Sequence, residues 1–311
     1  MDVSIIIVNY KTKELVVNCI SSIIEKTNGI SYEIIIVDNN SNDGCQQTLN
    51  TIFPNEQITF LMQNTNIGFG KANNEGIKIA KGRNILFLNP DTVLINNAIK
   101  ELSFFLDDNM KVGICGGNLY DENMIPTQSF FRTTPSITWE LSILTFRKIE
   151  KLVFRGSNEF NLTKHPIEVG YITGADLMTR REVLDEIGYF SPDFFMYYEE
   201  TDLCCRARKH GYKIVNIPTA KIQHLEGRSF DNAKSTVNEK KIKMMEESRL
   251  TYYNKNTDSQ AKIIIANHIH SIALSINKIA FKLIGRNIWK EYDCRKRIFK
   301  ELLKQQTYTT I

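Results

Sequence analysis

Six cysteines are scattered along the chain at Cys19, Cys45, Cys115, Cys204, Cys205 and Cys294, with no CxxC pair and no zinc-finger spacing among them. That pattern excludes a disulfide framework and fits reduced thiols. Long apolar runs are missing too. No window offers eighteen uninterrupted apolar residues, so a transmembrane helix is not expected. No basic leader precedes the first apolar run, because Met1-Asp2-Val3 opens directly into it, and no signal peptide is expected. Together these absences predict a cytoplasmic protein. No nucleic-acid recognition motif accompanies its basic residues, so no nucleic-acid partner is expected.

What is present is ordinary for a globular chain: 311 residues, 42% hydrophobic and 24% charged. That length suffices for one large domain, or one domain with an appendage. The charge is uneven. From Lys234 onward sixteen Lys and Arg face seven Asp and Glu, a net of +9, whereas the preceding residues carry 23 against 28, a net of −5. The break predicts a domain over 1–233 and a basic helical extension over 234–311, the latter meeting an anionic partner or forming a solvated helical surface.

Alternation of strand and helix patterns dominates the first domain. Val3 to Asn9 reads as a strand, Glu14 to Lys26 as a helix, and Tyr32 to Asp38 as a second buried strand. Turn chemistry follows at Asn39-Asn-Ser-Asn-Asp-Gly44, then a helix over 44–53 and a strand over 57–62. A glycine-rich turn and helix over 64–81 lead to Ile85–Leu88, a strand apolar on both faces. Such alternation predicts an α/β fold with a mostly parallel, doubly wound sheet.

Three of these segments end in polar groups: Asn9, Asp38 and Asp91. Each alone is most simply a turn or helix cap. Three on one sheet edge form a nucleotide crevice, since open α/β sheets bind ligands beyond the carboxyl ends of their strands. In that crevice Asp38 would accept the N–H of a uracil or thymine, with Asn9 and Tyr10 at the entrance. Asp91 follows Asn89-Pro90, where the proline ends strand pairing, and is a hard oxygen ligand suited to Mg²⁺ or Mn²⁺.

Gly68 and Gly70 give a G-x-G, but Asn73 stands where a dinucleotide fingerprint needs its third glycine. The turn also follows the third strand rather than the first, which excludes a nicotinamide-binding site. What remains is a backbone that closely approaches a ligand and opens a helix, with Lys71 and Asn74 available for polar contacts.

The segments Val8-Asn-Tyr10, Val37-Asp-Asn-Asn-Ser41, Asn66-x-Gly-Phe-Gly-x-Ala-x-Asn74 and Leu88-Asn-Pro-Asp91 together resemble the family-two glycosyltransferases, in particular the rhamnosyltransferase-like branch. The likeness spans roughly residues 3–230. It implies a GT-A fold, with a Rossmann-like nucleotide-binding half, and an inverting transfer from a nucleotide-diphosphate sugar, dTDP-rhamnose or a UDP-sugar. The implied acceptor is a growing glycan or lipid-linked sugar at the inner membrane face. It implies donor contacts at Asn9, Tyr10, Asp38, Asn40, Gly68, Lys71, Asn74, Asn89 and Asp91.

Two later segments continue the resemblance. Phe194-Phe-Met-Tyr-Tyr-Glu-Glu-Thr-Asp-Leu203 is similar to the family's aromatic-x-Glu-Asp-x-Asp-Leu element. The family's second acid is the catalytic base. That position is Glu200 here, a residue one methylene longer, which leaves the role open between Glu199 and Glu200. Asp202 would orient its neighbours or cap the helix. Clustered acids raise one another's pKa, as a general base requires, although acids also favour any helix start. His224-Leu-Glu-Gly-Arg-Ser229 resembles the family's closing segment. His224 would complete the metal site at Asp91 or hydrogen-bond the departing diphosphate, and Arg228 and Ser229 are natural phosphate partners.

Residues 137–165 mix aromatics with basic side chains, including Trp139, Phe146, Arg147 and Phe154, and belong by resemblance to the acceptor side. The extension is predicted helical over 240–253, 259–284 and 289–304. Its middle helix, interrupted by Asn267, His268, His270, Asn277 and Lys278, is too polar to span a bilayer. It would pack on the catalytic domain, form a homodimer contact, or lie peripherally on a membrane beside Lys278, Lys282 and Arg286. Two rival functions stand beside sugar transfer. A sugar-phosphate nucleotidyltransferase would carry a glycine-rich loop after its first strand, and Asn9 to Glu14 has no glycine. A non-catalytic sugar-nucleotide-binding subunit would have no need of the acids at 199, 200 and 202.

Overall fold

A computed structural model of the chain describes residues 1–145, 159–225 and 237–309, with side chains through 305. The expectations placed on Phe146, Arg147, Phe154, Arg228 and Ser229 lie outside these residues. The chain forms two compact units. One comprises Met1–Arg132, Ser157–Pro192 and Glu199–Asn232; the other comprises Thr133–Gly156, Asp193–Tyr198 and Ala233–Ile311. The basic tail therefore forms a unit together with two segments from earlier in the chain.

The first unit opens with β1 (Val3–Asn9), α1 (Lys13–Lys26), β2 (Tyr32–Asp38), α2 (Cys45–Ile52), β3 (Ile58–Met62), α3 (Phe69–Ile79) and β4 (Asn84–Leu88). It continues with β5 (Thr92–Leu94), α4 (Ala98–Asp108), β6 (Val112–Tyr120) and β7 (Phe130–Phe131). After α5 (Ile137–Leu144), which belongs to the second unit, come β8 (Ile167–Glu168), β9 (Tyr171–Ile172), β10 (Asp176–Arg180), α6 (Arg181–Ile187), α7 (Glu199–Lys209) and β11 (Lys213–His224).

The main sheet has the order β3-β2-β1-β4-β10-β6-β11-β5, with β8 added on β11. Its first four strands are parallel. β10 then runs antiparallel between β4 and β6. This is a doubly wound parallel half joined to a mixed half. Side chains alternate across β1: Val3, Ile5 and Ile7 join a core with Ile20 of α1, Leu49 of α2 and Leu102 of α4. Ile6 faces the other way, against α3, where a Cβ on Gly76 would stand 2.6 Å from the Ile6 Cγ2.

Two stretches of strand are irregular. β9 and β10 are separated by Thr173–Ala175, where Gly174 and Ala175 are small. β11 runs for twelve residues, and its pairing with β6 shifts register between Asn216 and Lys221. Pro218 sits in that interval, where it has no N–H to give the ladder.

The second unit packs α5, α8 (Glu239–Asn256), α9 (Gln260–Leu283) and α10 (Trp289–Thr309). Ile242, Leu250, Leu274, Ile298 and Phe299 form an apolar cluster. Beside it lies a buried charge network. Arg249 donates to Glu140 at 2.8 and 2.9 Å, and the His270 ring spans Glu140 and Glu246 at 3.0 and 2.9 Å. Arg295 closes the network on Glu246 at 2.8 Å.

Candidate active site

Parallel pairing aligns Asn9 with Asp38 at the carboxyl ends of β1 and β2. Asp38 is almost fully buried. Its Oδ2 accepts from the Asn9 Nδ2 at 2.7 Å and its Oδ1 from the Ser41 N–H at 2.8 Å. A carboxylate has about four lone-pair sites, so Asp38 retains acceptor capacity for a ligand N–H. Asn9 is completely buried, and its Oδ1 accepts from the Thr12 N–H and hydroxyl at 3.1 and 2.8 Å. It holds Asp38 rather than facing the entrance, which corrects its expected place. Tyr10 is 43% exposed there, with the Lys11 ammonium 5.6 Å from its ring centre. Asn40 is half-buried in a left-handed conformation (φ +64°), and its Oδ1 accepts from Asn42 at 3.0 Å.

Asn39, which the sequence marks only as turn chemistry, joins this edge to the glycine-rich loop. It donates to the Asn66 Oδ1 at 2.9 Å and accepts from the Ile67 N–H at 3.0 Å. Gly68, at φ +88°, precedes α3, and Lys71 is exposed on the helix's first turn. Asn74 ties α3 to the Phe190 backbone. Its side chain donates to the Phe190 carbonyl at 2.8 Å and accepts from the Phe190 N–H at 3.0 Å, so each end of the amide holds the Phe190 backbone. Phe190 in turn packs edge-on against Phe87 of β4 at 4.7 Å.

The loop after β4 is tied down on two sides. The Asn89 N–H donates to the Ala175 carbonyl at 2.9 Å, and the Leu225 N–H donates to the Asp91 carbonyl at 2.9 Å. The second bond and the pairing of His224 with Thr92 place the imidazole at Asp91, with Nε2 3.4 Å from Oδ1. A buried carboxylate oxygen beside an imidazole nitrogen is a donor pair suited to Mn²⁺ or Mg²⁺, with diphosphate oxygens and water supplying the rest. Among the described residues no three His, Cys, Asp or Glu side chains gather into a complete protein cage.

Nothing in the sequence singles out Asp176. It begins β10 fully buried, and its Oδ2 accepts from the Gly117 N–H at 2.5 Å. Burial pushes its carboxyl up to about 7, and the hydrogen bond and His224 offset only part of that rise.

The acid pair opens α7 after two consecutive left-handed residues, Tyr197 (φ +72°) and Tyr198 (φ +66°). Non-glycine residues seldom hold that conformation, and such strain clusters at functional sites. Glu199 is 4% exposed; burial first, and the charge of Glu200 second, hold its carboxyl well above the usual range. Glu200 is half-buried. Burial raises its carboxyl too, while backbone amides at the helix start and the Thr201 hydroxyl, 3.1 Å from Oε1, oppose the rise.

Gly70 leaves space for this pair: a Cβ there would stand 3.1 Å from the Phe190 Cβ and 3.5 Å from the Glu199 Cβ. A Cβ on Gly174, just before Ala175, would stand 3.9 Å from the Glu200 Cγ. The glycine-rich turn, the loop after β4 and the acid pair thus converge through the 174–176 segment. Asp202 anchors Arg206 at 2.9 Å, and Arg206 donates to the carbonyls of Ile187, Gly188 and Tyr189.

Sheet order, strand-end carboxylates and a C-terminal helical unit define a GT-A fold. The chain superimposes on the mannosyltransferase of Pyrobaculum calidifontis in complex with GDP-Man and Mn²⁺ with a TM-score of 0.61, at 11% identity, over 99% of this chain and 88% of that one. The chain belongs to glycosyl transferase family 2, whose sequence profile matches residues 4–188. It is 31% identical over 217 residues to a low-salt glycan biosynthesis hexosyltransferase of Haloferax volcanii, covering 68% of this chain and 64% of that protein. It is 24% identical over 197 residues to a dTDP-rhamnosyl transferase of Shigella flexneri, covering 62% and 60%. The matched region thus spans less than two-thirds of either relative.

Proposed function

We propose that the chain is an inverting glycosyltransferase that moves a sugar from a nucleotide-diphosphate donor to a hydroxyl of a glycan or lipid-linked acceptor. The observation that carries this reading is the acid pair at the start of α7. Glu199, the more buried, keeps its proton, which leaves Glu200 as the ionised member. Glu200 takes the proton of the acceptor hydroxyl as that oxygen attacks the anomeric carbon. The bond from that carbon to the diphosphate oxygen breaks, and the nucleoside diphosphate leaves from the opposite face. A single displacement of this kind inverts the centre.

Asp38, held by Asn9, would accept the N–H of a uracil or thymine, and Tyr10 and Asn40 would border the base. Gly68 would let the backbone approach the donor, with Lys71 near its phosphates. Asp91 and His224, with Asn89 shaping their loop, would hold Mn²⁺ or Mg²⁺; the ion would neutralise charge on the departing diphosphate. Likeness to a dTDP-rhamnosyl transferase supports dTDP-rhamnose as one donor to test, beside UDP-sugars.

The test is nucleoside diphosphate release from a panel of sugar nucleotides, with lipid extract as the acceptor source and with or without Mn²⁺ or Mg²⁺. Expected is release from one donor that requires the metal and is lost in Asp91→Ala. Failure of every donor both to bind and to turn over would overturn the proposal.

A further inference from the structure

α9 presents apolar side chains on two opposite faces. One face, including Ile263, Ala266, Ala273 and Leu274, is buried. The other carries Ile265, Ile272, Ile276, Ile279 and Leu283, which are 41–81% exposed. At 3.6 residues per turn these five fall within about 60° of one another, and they run for about 27 Å along the helix. Exposed Ile284 and Ile288 extend the apolar surface past the helix end. A continuous stripe of this kind marks an interaction surface.

Its margin indicates the partner. From Ser259 to Lys290 the sequence has no Asp or Glu but has Lys262, Lys278, Lys282, Arg286 and Lys290. Lys278 pairs with Asp293, and the Lys282 ammonium lies 5.5 Å from the Trp289 ring centre. A second copy would bring the same predominantly basic margin against this one across a two-fold axis, setting like charges together. An anionic lipid surface accepts both the isoleucine stripe and its basic border. α9 is long and apolar enough by length and composition to cross a membrane. Its other face, however, carries Asn267 and His270, which are hydrogen-bonded to Arg249, Glu140 and Glu246. That face stays with the protein, so the helix would lie in the membrane plane.

We propose that the isoleucine face of α9 docks on an anionic lipid surface, with Lys282, Arg286 and Lys290 at the headgroup phosphates. The proposal is independent of sugar transfer, because its test needs neither donor nor acceptor. The full chain is sedimented with vesicles of phosphatidylglycerol and phosphatidylcholine, and with phosphatidylcholine alone. Beside it run Ile272→Ser/Ile276→Ser/Ile279→Ser and Lys282→Glu/Arg286→Glu/Lys290→Glu, with thermal melts confirming the fold.

Expected is binding to the anionic vesicles that weakens with salt. Neutral vesicles and each variant should show binding weaker by roughly tenfold or more, because both buried apolar area and headgroup attraction contribute. Wild-type chain that stays in solution with anionic vesicles would overturn the proposal, as would undiminished binding of the isoleucine variant. A dimer that the serine substitutions dissolve, without vesicle binding, would assign the stripe to a second copy instead.

Discussion

Two adjacent carboxyls at the start of a helix cannot share one role when their burial differs. Glu199 is the more deeply buried and carries the larger penalty for charge; Glu200 has a hydroxyl donor and a path to solvent. A base works only when ionised, so turnover should rise as pH rises through the raised pKa of Glu200. The acidic limb of the kcat profile is therefore expected above the ordinary glutamate value of about 4.3. Asp176 acts on stability instead. Its folded pKa is raised to about 7, so the stability it contributes is intact below its ordinary pKa of 3.8 and is lost as pH rises through about 7. Asp176→Asn removes that loss. Thermal melts should show the variant gaining on wild type between about pH 5 and about pH 8, by up to a few kcal/mol.

At the scale of elements, α3 is held by close approach. A methyl or larger group at Gly76 must displace Ile6 in the central strand. Gly76→Val should cost about 1–3 kcal/mol in denaturant unfolding, with the overpacked core as the cause. The elements themselves are largely legible in the sequence. Asn9 and Asp38 end apolar runs of similar length, and strand–helix alternation implies the parallel pairing that sets them side by side. Asp91 is marked by the proline before it. Interactions that bridge distant segments carry no such signal. Asn74 and Phe190 are 116 residues apart, and Asp176 reaches Gly117 across 59. An asparagine's local pattern does not reveal whether its amide meets a remote backbone, so the tie between Asn74 and Phe190 is not legible in the sequence.

On the scale of the whole molecule, the charge break near Lys234 locates the tail but not its full unit. α5 belongs with it, and its Glu140 is the buried counter-charge to Arg249. Sequence gives no sign of this, since residues 137–165 read as an aromatic and basic stretch, Glu246 and Arg249 as polar positions on a helix of the extension, and His270 as an interruption of its middle helix. Arg249→Met would leave Glu140 buried without its main partner, and chemical unfolding of the second unit should lose roughly 3–5 kcal/mol. Arg249 and His270 hold the Glu140 carboxyl down to about 2. Its stabilising contribution is therefore complete above its ordinary pKa of 4.5 and is lost as pH falls towards about 2. The same variant should have a flatter stability profile across that acid range.

The most direct measurement compares kcat for nucleoside diphosphate release by the wild-type chain and Glu200→Gln at saturating donor and acceptor, with donor binding read in the same samples. If Glu200 is the general base, kcat falls by about 10²–10⁴-fold while donor affinity is kept. Wild-type turnover in a folded, donor-bound Glu200→Gln variant would contradict the account.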